Sequence, residues 1–263
     1  MFLSHLLIDI GTNPDRERPG RKWLRNAYHI HQRLCMAFPS SERKANDPHF
    51  LAPYQPEDFL QVHTKRDTDS GFLFRIDPHP GGNVSIIVFS ALKPDLDYAF
   101  GLDPNKTDPN TGKPVGNAGY LLVTLPEEPR PFHLEIEKGN KFRFRLTANP
   151  TRRLSKESQF PKGEKVNDKW IGKRVPVPYD KLEEWLAHKG KDCGFHLCNI
   201  TNITTGYVYF NRTNSPGQGK RLFSARFDGV LEVTDSEKLR GTLISGIGSA
   251  KAFGFGLMTL APV

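Results

Sequence analysis

The stretch YHIHQRLCMAF, residues 28–38, holds a tyrosine, two histidines and a cysteine, all side chains that can carry out chemistry. A histidine transfers protons near neutral pH, and Cys35 follows His31 by four residues, the helical spacing of a thiolate and imidazole pair. A nucleophilic dyad usually draws on two elements and a third, orienting group, so the spacing favours Cys35 as a packing residue. Taken alone, His31 is more typical of a satisfied histidine at the boundary of a core than of a catalytic residue.

A predicted helix over 27–38 must position these side chains. On a helical wheel, its apolar stripe is centred on Ile30 and comprises Ala27, Leu34, Ala37 and Phe38. His31 falls at the edge of that stripe beside Tyr28, whereas His29 falls on the far side and is predicted to face solvent. A half-buried edge is where a titrating group can be tuned and still reach a substrate.

The helix belongs to a first half with the element order of a ferredoxin-like fold. Apolar runs predict four strands, one before the helix and three after it: 2–10, 71–77, 83–92 and 120–125. A stretch rich in Pro, Asn and Gly separates the last two strands. The order is therefore β-α-β-β, a poorly defined crossover, and β, which is typical of this fold.

The second half repeats this order after a joint rich in Pro and Glu, PEEPRP. Its predicted strands are 141–150, 194–200, 205–211, 222–233 and 255–262. Its predicted helices are 179–190, ended at Gly190, and 236–247, capped by Ser236. We therefore predict an α+β fold of two tandem ferredoxin-like (RRM-like, βαββαβ) domains, residues 1–125 with the His31 helix and residues 126–263.

The charge of the chain is concentrated in one region. The net charge is +8 and the sequence pI about 9.4, and residues 141–174 hold eleven basic residues against three acidic ones. A basic segment of this kind is often just a solvated loop. A surplus of eight positive charges within residues 141–174 nevertheless favours nucleic acid as the partner. The sequence contains no apolar run of about 18 residues and no signal-peptide pattern, so we predict a cytoplasmic protein without a membrane partner.

The most specific local motif is GIGSAKAFGFG, with glycines at Gly246, Gly248, Gly254 and Gly256. Glycines let a backbone approach a ligand closely, and Lys251 between them supplies a charge for phosphate. A dinucleotide fingerprint fits poorly, because the third glycine comes too late and a strand follows. The motif also approaches, without matching, the RNP1 pattern of RNA recognition modules, and a purely structural turn stays open.

Four possible zinc ligands lie close together near the second predicted helix: His188, Cys193, His196 and Cys198. The C-x4-C spacing is loose, and His188 falls on a predicted helix whereas Cys198 falls on a predicted strand. The sequence therefore favours no structural zinc here.

Taken together, the motifs resemble the repeat-associated RNA-binding proteins of CRISPR systems, and among them the Cascade endoribonuclease subunits called CasE or Cse3. The resemblance covers both halves in order. It is carried by MFLSHLLI, the helix pattern Y-x-x-H-[QR]-x-L-x-x-x-F, FRFRLTANPTRR, GKRVPVP, FDGVLEV, and GIG-x-A-K-A-x-G-x-G-L-x-x-L-A-P at the C-terminus. Residues 11–26 and 101–116 look longer than in a minimal family member.

This resemblance implies metal-independent cleavage of the CRISPR precursor RNA at the base of its repeat hairpin, without a cofactor. A ribose 2′-hydroxyl attacks the adjacent phosphate and leaves a cyclic phosphate and a 5′-hydroxyl. The enzyme would keep the mature guide RNA and join the other Cascade subunits. A non-catalytic RNA-hairpin-binding subunit with the same fold is the main alternative, and a DNA-binding protein is a third.

Residue by residue, the family pattern places the catalytic tyrosine on Tyr28 and the catalytic histidine on His31. The predicted strands 205–211 and 222–233 form a hairpin that in this family reaches an RNA groove. The residues expected to bind RNA flank this hairpin or lie in the matching segments: Arg152, Arg153, Lys173, Arg174, Arg212, Lys220, Arg221 and Lys251. The four glycines around Lys251 are expected to form the loop that approaches the RNA.

Overall fold

The computed structural model describes residues 1–10, 19–38, 71–79, 83–100, 121–123, 127–156, 168–211 and 219–263. The strands are β1 (Phe2–Asp9), β2 (Phe72–Pro78), β3 (Asn83–Ser90), β4 (Arg130–Pro131), β5 (Lys141–Ala148), β6 (Thr151–Arg153), β7 (Arg174–Pro176), β8 (Phe195–Phe210), β9 (Lys220–Val233) and β10 (Met258–Pro262). The helices are α1 (Pro19–Leu24), α2 (Ala27–Met36), α3 (Leu96–Phe100), α4 (Leu182–Cys193) and α5 (Ser236–Ser245), with 3₁₀ turns at Tyr179–Lys181 and Lys251–Phe253. Helices and antiparallel sheets confirm the predicted α+β class. Among the described residues, none of the helices is both long and apolar enough to cross a membrane.

The chain forms two compact units. Unit 1 consists of Met1–Leu134 together with two short pieces of the second half, Tyr209–Lys220 and Ala252–Gly254. Unit 2 consists of Glu135–Val208, Arg221–Lys251 and Phe255–Val263. The end of β8 and the middle of the glycine-rich motif therefore belong to the unit that contains α2.

The sheet of unit 1 has the strand order β2-β3-β1-β4. Alternation in β1 and β3 puts Leu6 opposite Ile86 on one face, where both belong to the same buried core as Ile30 and Leu34 of α2. The predicted strand at 120–125 is not seen in its described part, 121–123, which forms a single bridge from Leu122 to Ile8. The fourth strand is instead β4, inside the Pro-rich joint.

The sheet of unit 2 has the strand order β10-β5-β9-β8. The predicted alternation along β5 is confirmed, because Phe142, Phe144 and Leu146 are buried. On the opposite face, Lys141 lies 3.8 Å from Glu232 and Arg145 lies 2.5 Å from Asp228. Two cations of this strand therefore already pair with carboxylates of β9.

Two predicted helix boundaries in unit 2 are wrong. Helix α4 does not end at Gly190 but runs on to Cys193 and ends at Gly194, whose φ of 80° is left-handed. Gly190 has another role, since a Cβ there would lie 2.6 Å from the Phe195 carbonyl oxygen. Because the backbone at Phe195 passes so close to the helix, only glycine fits at position 190.

The cap of α5 is Asp235 and not Ser236. Its carboxylate accepts a hydrogen bond from the Lys238 backbone N–H, and Ser236 is the first helical residue. This hydrogen bond holds the pKa of Asp235 below its usual value. Asp and Ser are both favoured capping residues, so adjacent candidates cannot be separated by residue type alone.

Candidate active site

Helix α2 carries Tyr28 and His31 in unit 1. It begins after Asn26, whose Oδ1 accepts from the Tyr28 backbone N–H at 3.1 Å, and it ends at Ala37. Ile30 and Leu34 are fully buried, as the wheel predicts. The capped first turn and the buried stripe together fix how the helix is rotated about its axis.

Aromatic rings surround His31, which is half-buried. Its imidazole stacks on Phe72 with ring centroids 5.5 Å apart, on Tyr28 at 6.2 Å and on Phe74 at 6.5 Å. The Tyr28 and His31 rings are inclined by 29° to each other. Contacts with three aromatic rings restrict the imidazole to few orientations, which suits a group that must transfer a proton at a defined point.

Cys35 contacts the same imidazole. Its sulfur lies 3.6 Å from His31 Nε2, and the residue is buried. A buried thiol of this kind packs like a small apolar group and makes only a weak hydrogen bond. The sequence predicted the packing, and the structure adds a contact that helps to orient the histidine ring.

The glycine-rich motif reaches this helix within unit 1. The Phe253 ring lies 6.0 Å from the Tyr28 ring and 4.3 Å from the Phe210 ring. Gly254 lies so close to Phe74 that a Cβ there would be 3.1 Å from its ring. Two motifs more than 200 residues apart in sequence are thus brought together around Tyr28 and His31.

The glycines shape this loop through backbone conformation. All four have φ between +75° and +90°, the left-handed region that favours glycine, and Ala250 between them has φ of 65°. The sequence predicted that these glycines allow close approach to a ligand. In the structure, the missing side chain of Gly254 also lets the loop backbone lie close to the Phe74 ring.

Two of the predicted RNA-binding residues, Arg153 and Arg174, lie directly opposite each other in the β6–β7 ribbon of unit 2. Both are exposed, and Arg174 Nη1 lies 3.4 Å from Thr151 Oγ1. Like charges on directly opposed positions are unfavourable, and an anion bound between them would remove the repulsion.

Two exposed aromatic residues accompany predicted RNA-binding cations in unit 2. The Lys173 ammonium lies 4.8 Å from the ring centre of Trp170, which is 40% exposed. The Arg221 guanidinium lies 4.6 Å from the ring centre of Tyr207, which is 49% exposed. Sequence reasoning missed both aromatic residues, although an aromatic near a cation in a basic region is the signal of a base-stacking surface.

The remaining predicted RNA-binding residues occupy separate positions. Lys220 is exposed at the start of β9, in unit 1. Arg152 and Lys251 are half-buried in unit 2. Arg212 lies outside the described residues, as do 11–18 and 101–116 of the two long stretches.

Within the ranges that the structure describes, it shows no group of three or more His, Cys, Asp or Glu residues placed to hold a metal ion. Cys193 and Cys198, considered above as zinc ligands, form no disulfide with each other or with Cys35.

Comparison with known proteins identifies the family. A family model described as CRISPR associated protein matches residues 1–262. The chain belongs to this family. It is 27% identical over 224 residues to the CRISPR-associated endoribonuclease Cse3 of Thermus thermophilus, across 80% of this chain and 90% of the relative. It is 24% identical over 265 residues to the CRISPR system Cascade subunit CasE of Escherichia coli, across 100% of both.

A solved structure of the same kind of protein also matches this chain. The CRISPR endoribonuclease Cse3 bound to a 19-nucleotide RNA matches with a TM-score of 0.61 and 25% identity, across 100% of both chains. The predicted resemblance of this CRISPR-associated protein to CasE and Cse3 is confirmed.

Proposed function

We propose that this protein is an endoribonuclease that cleaves CRISPR precursor RNA at the base of the repeat hairpin and stays on the product as a Cascade subunit. The observation that carries the proposal is the stacked Tyr28 and His31 pair on α2 with the glycine-rich loop packed against it. The chain that carries this pair belongs to a family in which one relative is named as an endoribonuclease and another as a Cascade subunit.

In this proposal, His31 of α2 carries out one of the two proton transfers that such cleavage needs. Attack by a ribose 2′-hydroxyl requires removal of its proton, and the leaving 5′-oxygen requires one. His31 transfers the proton at one of these two oxygens. Tyr28 orients the imidazole and donates to the negative charge that develops on the phosphate. The 2′-oxygen forms a bond to phosphorus as the bond to the 5′-oxygen breaks. The proton lost by the 2′-hydroxyl is balanced by the proton gained at the 5′-oxygen, and solvent water exchanges the one that His31 does not.

Each unit carries one ferredoxin-like domain in this proposal. With strands numbered in chain order within their own sheet, each four-stranded sheet has the order 4-1-3-2, given by β4-β1-β3-β2 and β10-β5-β9-β8. This order is the one that two packed βαβ units produce, and it supports a tandem arrangement. The domains of 1–125 and 126–263 remain a prediction.

The RNA is held mainly through phosphates and unpaired bases. An A-form helix has a deep, narrow major groove, so proteins recognise it by shape and backbone and read unpaired bases by stacking. Arg153 and Arg174 provide two charges on one ribbon, and Tyr207 with Arg221 provides a stacking surface. The other predicted RNA-binding residues are proposed to add phosphate contacts.

A cleavage assay with a repeat hairpin tests the proposed function. We expect cleavage in excess chelator and a product ending in a cyclic phosphate. Replacing the 2′-hydroxyl at the cleavage position with hydrogen should stop the reaction and leave the dissociation constant within about twofold. Binding without cleavage would support the non-catalytic subunit instead, and equal affinity for duplex DNA of the repeat sequence would support a DNA-binding protein.

The opposed arginines predict a change in the salt dependence of binding. Replacing Arg153 or Arg174 with alanine should weaken binding of the uncleavable RNA. It should also reduce the slope of log K against log salt by about 0.7–0.9 for each phosphate that the variant no longer neutralises. Fluorescence anisotropy between about 50 and 200 mM salt measures this slope.

Lys141→Ala is the matched control for these arginines. It removes an equal charge from the same unit, but the Lys141 ammonium lies 3.8 Å from the Glu232 carboxylate. We expect an unchanged slope for this variant. If all three variants shift the slope equally, the ribbon has no special part in binding and only net charge matters.

A further inference from the structure

Asn26 makes more contacts than a helix cap needs. Its Oδ1 accepts from the Tyr28 backbone N–H at 3.1 Å, which is the ordinary capping bond. The same oxygen accepts from the Asn211 backbone N–H at 3.2 Å, and Nδ2 donates to the Asn211 carbonyl oxygen at 2.9 Å. Both residues belong to unit 1, although 185 positions separate them.

The side-chain amide thus pairs with the backbone of Asn211 as a neighbouring strand would. Asn211 directly follows β8, so the pairing ties the end of that strand to the first turn of α2. Ser, Thr and Asp cap helices about as well as Asn, because a cap needs only an acceptor. The Nδ2–H donor is what distinguishes Asn here, and it is directed at Asn211 and not at the helix.

An aromatic layer lies beside this tie. Phe210, the last residue of β8, packs on Phe253 with ring centroids 4.3 Å apart. Phe253 in turn packs on Tyr28 at 6.0 Å. The polar tie and the aromatic contacts therefore hold the same two elements, but only the hydrogen bonds fix their register, since apolar packing is not directional.

We propose that Asn26 is a positioning residue for cleavage, which holds the end of β8 against the helix that carries Tyr28 and His31. This inference rests on the proposed function. The next residue in sequence is Arg212, so the tie lies beside a segment predicted to bind RNA. The tie fixes the first turn of α2, and with it Tyr28 and His31, against the end of β8. A displacement of about 1 Å between a substrate and a catalytic group can cost about 100-fold in rate.

Two substitutions separate the tie from the cap. Asn26→Asp and Asn26→Ser keep an oxygen that can cap α2, and both lack the amide donor to Asn211. We expect each to lower the single-turnover cleavage rate at saturating protein by about 10- to 100-fold. The dissociation constant for hairpin with a 2′-deoxy cleavage position should change less than about threefold, and the thermal midpoint should change little because the cap is kept.

The neutral Ser variant controls for the negative charge that Asp introduces near RNA. Asn140→Asp is a second control, because Asn140 Oδ1 also accepts a backbone N–H, that of Glu137 at 2.8 Å, in unit 2. Wild-type cleavage rates for both Asn26 variants would overturn the inference, as would a reduced rate explained fully by weaker binding or by unfolding. Failure of the wild-type protein to cleave would instead overturn the proposed function, so the two failures are distinguishable.

Discussion

His31→Ala should abolish most of the cleavage activity while RNA binding survives. The imidazole is the one proton-transferring group of the proposed mechanism, and loss of such a group typically costs about 10²- to 10⁴-fold in rate. It lies on the helix and not among the predicted phosphate contacts, so affinity for an uncleavable hairpin should fall less than about threefold. Single-turnover cleavage and anisotropy with the 2′-deoxy hairpin measure the two quantities separately.

His29→Ala is the matched control on the same helix. The helical wheel predicts a solvent-facing His29, but the residue is half-buried like His31. The imidazole that stacks on Phe72 and Phe74 is nevertheless that of His31. We expect near wild-type cleavage from the control. Because His31 also packs against these rings, His31→Asn should accompany His31→Ala and keep more of the side-chain volume. Unimpaired cleavage by both His31 variants would show that the site assignment is wrong.

The regular parts of the fold were predictable because burial imposes a period on the sequence. In β5 every second residue is apolar and buried, and in α2 Ile30 and Leu34 follow the helical period. The edge strands β4 and β8 lack such a period. The two residues of β4 are both exposed, and most side chains of β8 are exposed along its 16 residues. An edge strand with few buried side chains gives no apolar alternation to detect, so β8 was predicted as two shorter strands.

The candidate site was predictable only in part. Helical spacing places Tyr28 near His31, but it was the family pattern that selected them as catalytic. The contacts of Phe253 with Tyr28 and of Asn211 with Asn26 could not be predicted, because each joins residues far apart in sequence. Glycine content indicated a tight loop, whereas what the loop approaches depends on the packing of the whole unit.

Gly256→Ala should destabilise the protein more than Gly248→Ala, although both glycines have nearly the same φ, 90° and 85°. An alanine at either position costs about 1–3 kcal/mol for a left-handed conformation. A Cβ at Gly256 would in addition lie 3.0 Å from the Ile247 carbonyl oxygen, whereas a Cβ at Gly248 would meet only the Trp185 ring at 3.8 Å. The difference between the two variants in free energy of unfolding isolates the steric part.

Ile247 cannot move aside easily, because its N–H donates to the Gly256 carbonyl oxygen at 3.0 Å and the Gly256 N–H donates to the Thr147 carbonyl oxygen at 2.8 Å. A Cβ at Gly256 would also lie 3.4 Å from Lys251 Cγ, so the strain reaches a predicted phosphate ligand. We therefore expect Gly256→Ala to weaken binding of the uncleavable hairpin at temperatures where the variant remains folded, with Gly248→Ala closer to wild type. Denaturant unfolding and anisotropy of the two variants provide the measurements. Equal free energies of unfolding would mean that the loop relaxes around Ile247, and the glycine would then be required for its backbone conformation alone.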